Sequence, residues 1–187
     1  MSQSSNVHDS IFAIGKRTRL GSLGEQLAME SLYEGGFKNI RDLNKVRANN
    51  IFADIAAERN GTAYIISVKA RNRLTNKGEL NKYYNILKIN AVKDAKLKAS
   101  GLSADQITLK LYQELNVIAI REEATPAWVT VPIDASSATF SAYFGLVSDL
   151  RLKKSIPMTP TAFAGYEALV ANRYDARITP DLSNASD

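Results

Sequence analysis

The 187-residue chain contains no cysteine and only one histidine, and both scarcities restrict its chemistry. Without thiols it can form neither a disulfide nor a thiolate metal site, and His8 alone cannot build a histidine cluster. A metal bound by this chain would therefore be held by oxygen ligands, which favours Mg²⁺, Mn²⁺ or Ca²⁺.

Long apolar runs are also missing from the sequence. No run approaches the ~20 residues that a membrane-spanning helix needs. The segment Ile11–Gly15 is too short for the hydrophobic region of a signal peptide. We therefore expect a cytoplasmic protein with no membrane partner. The length and the hydrophobic content of 45% fit one domain over residues 11–177, with flexible tails at 1–10 and 178–187.

Positive charge is concentrated in the first part of the chain. Residues 1–100 hold 17 lysines and arginines against 9 acidic residues, whereas residues 101–187 hold 7 against 10. The segment from Lys69 to Lys98 alone has nine basic and two acidic side chains. Such a basic half indicates a polyanionic partner, above all nucleic acid, although a solvated lysine-rich face explains the same charge.

The hydrophobic patterns predict a mixed α/β (α+β) domain around a mixed sheet. A first helix begins at Gly21–Ser22 and ends at Gly35–Gly36. Two strands, IFADIAAERN and GTAYIISVKA, are joined by Asn60-Gly61, a strong signal for a two-residue hairpin loop. The patterns further downstream predict helix over 91–115 with a break near Gly101, strands at 116–120 and 127–133, a strand or short helix at 139–147, and a helix over 161–174.

The Asn60-Gly61 loop determines which side chains of the hairpin share a face. If these two residues form the loop, Asp54 lies directly opposite Ser67, and Lys69 points to the same face. The opposite face is then apolar and consists of Ala53, Ile55, Ala57, Ile66 and Val68. Register alone therefore brings a carboxylate and an ammonium group together, either as an ordinary cross-strand ion pair or as part of a site.

Glu25 has an unusual position on the first predicted helix. At ~100° per residue it falls between Leu32 and Met29, inside the apolar arc. A carboxylate there needs compensation by a cation or a lysine. A position near the helix start also stabilises a glutamate through the helix dipole, with its head group in water. The second interpretation explains the closeness of Glu25 to the helix start but not its angular position, so the first interpretation is favoured.

Taken together, LGSLGEQLAMESLYEGGF and FADIAAERNGTAYIISVKAR resemble the PD-(D/E)XK nuclease superfamily over residues 20–73. The shared elements are a GxxGE-type helix, an aspartate followed by an apolar residue, and a hairpin that returns to a lysine. The resemblance implies a restriction-endonuclease-like core, with a mixed central sheet flanked by helices. It also implies a Mg²⁺-dependent endonuclease, with Mn²⁺ as a substitute, that hydrolyses DNA in restriction, mobile-element or repair work.

The same resemblance implies roles for individual residues. Asp54 corresponds to the metal-binding aspartate, and the backbone carbonyl of Val68 is a further donor to the metal. Lys69 corresponds to the lysine that orients the attacking water and stabilises charge on the phosphate. Glu25 corresponds to the helix acid that completes the metal shell. Double-stranded DNA is the implied partner, and a homodimer is one way of cutting both strands.

Two positions depart from the family pattern. Ala53 stands where the family has a proline, which is a minor change. Ser67 stands where the family has a second acid, so one carboxylate is missing from the strand. The metal needs carboxylate oxygens at the right place, whichever element supplies them. Glu25 is our first candidate to fill the gap, and Glu79, ten residues after the lysine, is the second.

Basic and aromatic residues follow the lysine along the chain. Arg71 and Arg73 leave the strand just beyond it, where they are suited to contact backbone phosphates, and Lys77 and Lys82 extend this track. The pair Tyr83–Tyr84 either stacks on bases or packs in the core.

Three interpretations of the chain remain open. The first is an active Mg²⁺-dependent endonuclease. The second is a catalytically inactive DNA-binding module that retains the nuclease fold but lacks the acid at position 67. The third is an unrelated basic α+β protein whose Asp54 and Lys69 form an ordinary ion pair. Metal-dependent cleavage separates the first two, and DNA binding separates both from the third.

Overall fold

The computed structural model describes residues 5–44, 52–75, 77–85, 91–153, 155–160 and 165–174. The helices are Ser5–Glu34 (α1), Ala91–Ala99 (α2) and Ala104–Arg121 (α3), and a short 3-10 helix spans Val147–Leu150. The strands are Lys38–Asp42 (β1), Ile55–Arg59 (β2), Thr62–Asn72 (β3), Tyr83–Asn85 (β4), Thr125–Asp134 (β5), Thr139–Leu146 (β6), Ser155–Pro157 (β7) and Glu167–Arg173 (β8). In these ranges no helix has both the length and the apolarity to cross a membrane.

Six strands form an open, mixed sheet in the order β1-β2-β3-β5-β6-β8. The central strands β3 and β5 run parallel, and their register extends from Tyr64↔Thr125 to Asn72↔Ile133. The other neighbouring pairs in this sheet are antiparallel. The parallel pair requires a long crossover, which β4, α2 and α3 supply. Strands β4 and β7 form a separate two-stranded ribbon. The predicted mixed α/β class with a mixed sheet is therefore confirmed.

Each face of the large sheet has its own apolar cluster. Helix α1 packs Leu27 and Leu32 against one face, in a cluster that includes Ile66. Helix α3 packs Leu115 against the other face, in a cluster that includes Trp128. Because both faces are buried, charged side chains reach water mainly at strand ends and at sheet edges. A polar site on this fold is therefore expected at such an end.

Helix α1 begins at Ser5, so the predicted start at Gly21–Ser22 was wrong. Residues 5–10, which the sequence assigned to a flexible tail, belong to this helix, whereas residues 1–4 and 178–187 lie outside the described ranges. A glycine inside a helix costs about 1 kcal/mol relative to alanine. That cost is too small to end a helix that packs its apolar side on a sheet.

The end of α1 was predicted correctly. The Phe37 N–H donates to the Leu32 carbonyl at 2.9 Å, and the Gly36 N–H donates to the Tyr33 carbonyl at 3.0 Å. These two bonds form a Schellman motif, which requires a left-handed residue after the helix. Gly36 supplies it with a φ of +80°, a conformation that glycine adopts without steric cost.

The predicted hairpin is confirmed in both its loop and its register. Asn60 and Gly61 have φ values of 53° and 76°, as a type I′ turn requires. The paired residues run from Ile55↔Ile66 to Arg59↔Thr62. The predicted helix break near Gly101 and the predicted strand at 127–133 are also confirmed, and residues 139–146 form a strand.

Residues 116–120 were predicted as a strand, but they continue helix α3 to Arg121. The β-branched residues of NVIAI favour a strand when they are taken alone. In the structure, Leu111, Leu115 and Ala119 follow one another at helical spacing and are buried. Val117 and Ile120 are left outside, with 67% and 77% of their surface exposed. Packing of one side of the helix therefore outweighs the local preference.

The predicted helix over 161–174 was also wrong. Residues 167–173 form β8, an edge strand that pairs antiparallel with β6, and residues 161–164 lie outside the described ranges. The helix-favouring composition of this segment is outweighed by the backbone hydrogen bonds that β6 offers. Arg59 ties β8 to β2, because its two guanidinium nitrogens each donate to the Glu167 carboxylate at 2.7 Å. The same guanidinium lies 4.2 Å from the centre of the Phe37 ring.

Candidate active site

Strands β2 and β3 separate at Asp54, and this fork forms the candidate site. Strand β3 continues to Asn72, whereas the pairing with β2 ends at Ile55↔Ile66. The Asp54 N–H still donates to the Ile66 carbonyl at 2.9 Å. One step further, the Asp54 carboxylate takes the place of a backbone partner and accepts the Val68 N–H at 2.7 Å. The register therefore delivers a carboxylate to the fork, where β3 no longer has a strand beside it.

Ser67 lies next to Asp54, as the predicted register requires. Its hydroxyl is 3.5 Å from the Asp54 carboxylate, at the long limit of a hydrogen bond. The residue is fully buried and is paired with Trp128 of β5. Ser67 therefore lines the floor of the fork and supplies a hydroxyl there.

The predicted apolar face of the hairpin is confirmed except at Ala53. Ile55, Ala57, Ile66 and Val68 belong to the cluster under α1, whereas Ala53 packs in the cluster on the α3 side. The alternation of side chains fails there because residues before Ile55 lie outside the strand, in a segment that bends at Asp54.

Glu25 is brought to the fork by an unusually close contact between α1 and β3. Gly24 is buried against Ala70, and a Cβ atom added to Gly24 would lie 2.0 Å from the Ala70 Cβ. The absence of a side chain at Gly24 thus lets the helix backbone rest directly on the strand. The next residue, Glu25, is half-buried beside the end of β2.

The electrostatics of Glu25 and Asp54 show that their carboxylates are close together. Burial raises the pKa of Glu25, and repulsion from the Asp54 carboxylate raises it further. Burial also raises the pKa of Asp54, although the nearby Lys69 ammonium and the Val68 N–H offset part of that rise. Lys69 acts on both acids and is itself half-buried. The structure thus brings Glu25, Asp54 and Lys69 together, as the sequence predicted.

Asn44 is a member of this cluster that the sequence did not reveal. Its side chain hydrogen-bonds both Glu25 and Asp54, which lowers the pKa of each. Its backbone N–H donates to the Asp42 carboxylate at 2.9 Å, which fixes the turn after β1. Asp42 also contributes repulsion that raises the pKa of Glu25. No sequence pattern marks Asn44, because strand β1, which carries it to the fork, was not predicted.

The oxygen donors at the fork fit a Mg²⁺ ion that keeps part of its water shell. No group of three acidic or histidine side chains suited to a metal occurs in the described part of the chain. Mg²⁺, however, is commonly bound through one or two carboxylates together with waters. Asp54 and Glu25 supply two carboxylates, and burial raises the pKa of both. The Val68 carbonyl points to the same edge as its N–H, since both groups of a strand residue share one side.

Glu79, the second candidate for the missing acid, lies elsewhere. It is exposed in the turn that follows β3, where its N–H donates to the Thr75 hydroxyl at 3.2 Å. The third carboxylate that acts on Glu25 is Asp42 rather than Glu79. The structure therefore gives no support to Glu79 as a metal ligand.

The four predicted phosphate-binding residues occupy different surroundings. Arg71 is half-buried and donates to the Tyr83 carbonyl at 3.4 Å. Arg73 and Lys82 line a groove beside the two-stranded ribbon. Lys77 is exposed in the turn that also holds Glu79. Three of the four therefore lie along the path from the end of β3 to the ribbon.

Comparison with known proteins adds no further assignment. No family model matches the chain, and neither a curated protein nor a solved structure matches it.

Proposed function

We propose that this protein is a Mg²⁺-dependent endonuclease that hydrolyses DNA phosphodiester bonds, with Mn²⁺ as a substitute metal. The observation that carries the proposal is the cluster at the fork, where the partly buried carboxylates of Glu25 and Asp54 interact with each other and with the Lys69 ammonium group. Burying two like charges is costly unless a cation compensates them. The resemblance to the PD-(D/E)XK superfamily adds the reaction class and the restriction-endonuclease-like core.

Each residue of the fork has a distinct role in this proposal. Asp54 and Glu25 would hold the metal, and the Val68 carbonyl and the Asn44 amide oxygen would be further donors. When bound, Mg²⁺ would supply Lewis-acid polarisation of the phosphate and would lower the pKa of a water. Lys69 orients that water and stabilises negative charge on the phosphate, in a half-buried position where its charge is screened less than in bulk water.

The Val68 N–H fixes the Asp54 carboxylate independently of any metal. The 2.7 Å bond is charge-assisted and holds one carboxylate oxygen against the strand. Preorganisation of this kind matters because a metal ligand that is ordered before binding loses less conformational entropy on binding.

A catalytically inactive DNA-binding module is the alternative function. It is favoured by the buried Ser67, a neutral side chain at the position where the family has an acid. Asn44 also bridges both carboxylates through its side chain, which partly satisfies them without a metal. In this alternative the basic residues bind DNA and the fork has no chemical role.

Cleavage of supercoiled plasmid with Mg²⁺, with Mn²⁺ and with EDTA tests the proposal. We expect nicked or linear product with either metal and none with EDTA. Lys69→Ala removes the charge that stabilises the phosphate, so its rate is expected to fall about 10²–10³-fold. Lys110→Ala, which removes an exposed lysine of α3, is the matched control and should cleave like the wild type.

Thermal unfolding with and without Mg²⁺ separates metal binding by the carboxylates from the role of Lys69 in cleavage. Mg²⁺ should raise the melting temperature of the wild type and of Lys69→Ala, because both retain the carboxylates. Asp54→Asn should show no such rise. Absence of cleavage in the wild type with both metals, together with salt-sensitive DNA binding, would instead establish the inactive module.

A further inference from the structure

A groove of about 770 Å³ lies between the sheet and the two-stranded ribbon, and Arg73, just past the end of β3, is one of its lining residues. Its floor includes Pro132 of β5 and Tyr143 of β6, and its wall includes Tyr83 of β4 and Pro157 of β7. This is the sheet face on the α3 side, because Trp128, at even spacing from Pro132, belongs to that cluster. Lys69 is on the same face of the sheet, two places along β3 from the buried Ser67.

The groove is lined with more positive than negative charge. Arg73, Lys82 and Arg173 are its basic side chains, and Asp134 is its acid. The Asp134 carboxylate is already engaged by the turn after β5, where it accepts the Ser136 N–H at 3.1 Å and the Ser136 hydroxyl at 2.5 Å. These bonds hold the carboxylate in the turn but leave it ionised, so three basic side chains against one acid give the groove a net positive charge, which favours an anionic ligand.

An exposed aromatic ring stands on the wall of this groove. Alternation along β4 sends Tyr84 into the core, where it is 3% exposed, and leaves Tyr83 58% exposed. Arg71 donates to the Tyr83 carbonyl, which ties this part of the ribbon to β3. The tyrosine pair that the sequence left undecided is thereby divided into one core residue and one surface residue.

An exposed ring beside phosphate-binding cations is the combination that single-stranded nucleic acid requires. A base stacks on an aromatic ring whatever its sequence, and basic side chains follow the backbone. Paired bases in a duplex are already stacked on their neighbours and present no free face to such a ring. The combination of Tyr83 with Arg73, Lys82 and Arg173 therefore favours unpaired nucleotides over duplex.

The groove is close enough to the fork to hold the same strand that is cut. From Lys69 to Arg73 the chain advances four residues, or about 13 Å at ~3.3 Å per residue. This distance corresponds to about four nucleotides at the 3.4 Å spacing of a stacked strand. A strand that leaves the fork along β3 thus reaches the groove within a few nucleotides.

We propose that this groove binds unpaired nucleotides, with Tyr83 stacking on a base and Arg73, Lys82 and Arg173 contacting phosphates. In combination with the proposed endonuclease activity, on which this step rests, the preferred substrate is nucleic acid with a single-stranded segment next to the cleavage position. Frayed ends, flaps, gaps and junctions have such segments, whereas a continuous duplex lacks them.

Fluorescence anisotropy in EDTA tests the groove without any cleavage. The probes are a labelled 20-nucleotide single strand of mixed sequence and its blunt duplex. Tyr83→Ala is expected to weaken single-strand binding about 5- to 150-fold, the range of one lost base–aromatic stack, and to leave duplex binding within twofold. The matched control is Tyr33→Ala, which removes a tyrosine of α1 that is 76% exposed and lies outside the groove.

Two further variants keep the test decisive. Tyr83→Trp keeps an aromatic ring, so it should retain single-strand affinity, and its fluorescence should be quenched by the oligonucleotide while the buried Trp128 stays unaffected. Arg173→Ala should reduce the slope of log affinity against log salt by about 0.7, the value for one phosphate contact on a single strand. Equal effects of Tyr83→Ala on single strand and duplex, or no effect on either, would overturn the proposal.

The failure of this inference can be told apart from the failure of the proposed function. Tyr83-dependent binding of single strands in EDTA, without any cleavage in Mg²⁺, would retain the groove and reject the endonuclease. Mg²⁺-dependent cleavage of duplex that is unchanged by Tyr83→Ala, with no single-strand preference, would retain the endonuclease and reject the groove.

Discussion

The contact between Gly24 and Ala70 gives a quantitative test of how α1 is placed on the sheet. A Cβ atom at Gly24 would lie 2.0 Å from the Ala70 Cβ, whereas non-bonded carbon atoms prefer about 3.5–4.0 Å. The substitution Gly24→Ala therefore forces the helix and the strand about 1.5–2 Å apart or distorts one of them. At Gly21, one helical turn earlier, an added Cβ would meet no described atom within 4 Å.

When Gly24→Ala is compared with Gly21→Ala, the contribution of helix propensity cancels because both changes gain it equally. Each Gly→Ala change favours the helix by about 0.8–1 kcal/mol through helix propensity. Gly24→Ala adds an overpacking cost of about 1–3 kcal/mol, and Gly21→Ala adds none. We therefore expect Gly21→Ala to raise the free energy of unfolding, and Gly24→Ala to fall about 1–3 kcal/mol below it. The difference between the two variants isolates the packing term.

Urea unfolding followed by circular dichroism measures both variants under the same conditions. The double variant Gly24→Ala, Ala70→Gly removes the clashing methyl group, so it should recover most of the lost stability, less about 0.5–1 kcal/mol for glycine in a strand. Equal stabilities for Gly21→Ala and Gly24→Ala would refute the reasoning, because the close contact would then cost nothing. If the double variant does not recover stability, the loss in Gly24→Ala does not come from the contact with the Ala70 methyl group.

Two further predictions concern stability without a metal. Burial raises the pKa of Asp54 in the folded protein above its ordinary value of 3.8. The neutral carboxyl therefore contributes its full stabilisation below pH 3.8, and this contribution is lost as the pH rises through the raised folded pKa. The stability advantage of Asp54→Asn over the wild type in EDTA should therefore grow as the pH rises above 3.8 and through the raised folded pKa, and a shrinking advantage in pH-dependent urea titrations would contradict the assignment. Arg59→Ala should cost about 1–2 kcal/mol, because it removes both the bidentate pair with Glu167 and the contact with the Phe37 ring. The exposed pair of Arg121 with its neighbouring glutamate is the control, and Arg121→Ala should change the melting temperature little by comparison.

Local signals in the sequence were sufficient for the hairpin and for two of the three residues that meet at the fork, Asp54 and Lys69. The Asn60-Gly61 loop determines its own register, and that register alone places Asp54 at the fork near Lys69. Glu25 could not be placed by local signals alone, because its angular position shows which side of the helix it occupies but not which strand that side contacts. The close approach of Gly24 to Ala70 shows that this strand is β3.

The wrong secondary-structure predictions for residues 116–120 and 161–174 have a common physical cause. Pairing and packing between distant segments outweigh the local preference of each segment. Strand β8 forms because β6 would otherwise have an open edge, although residues 167–173 are rich in helix-favouring alanine, leucine and glutamate. Residues 116–120 remain helical because the buried side of α3 continues through Leu115 and Ala119. Asn44 could not be foreseen for the same reason, since its place at the fork depends on the pairing of β1 with β2.

The serine at position 67 has a consequence for the way in which folding and the proposed chemistry are coupled. A site with both acids on the hairpin would be complete once the Asn60-Gly61 loop had formed, because register alone would align its carboxylates. Here the second carboxylate is Glu25, and it reaches Asp54 only when α1 is seated on β3 through Gly24. A change that shifts the helix without unfolding the sheet should therefore abolish the proposed binding of Mg²⁺ while the hairpin stays intact. By this reasoning Gly24, rather than Ser67, is the position on which the completeness of the fork depends.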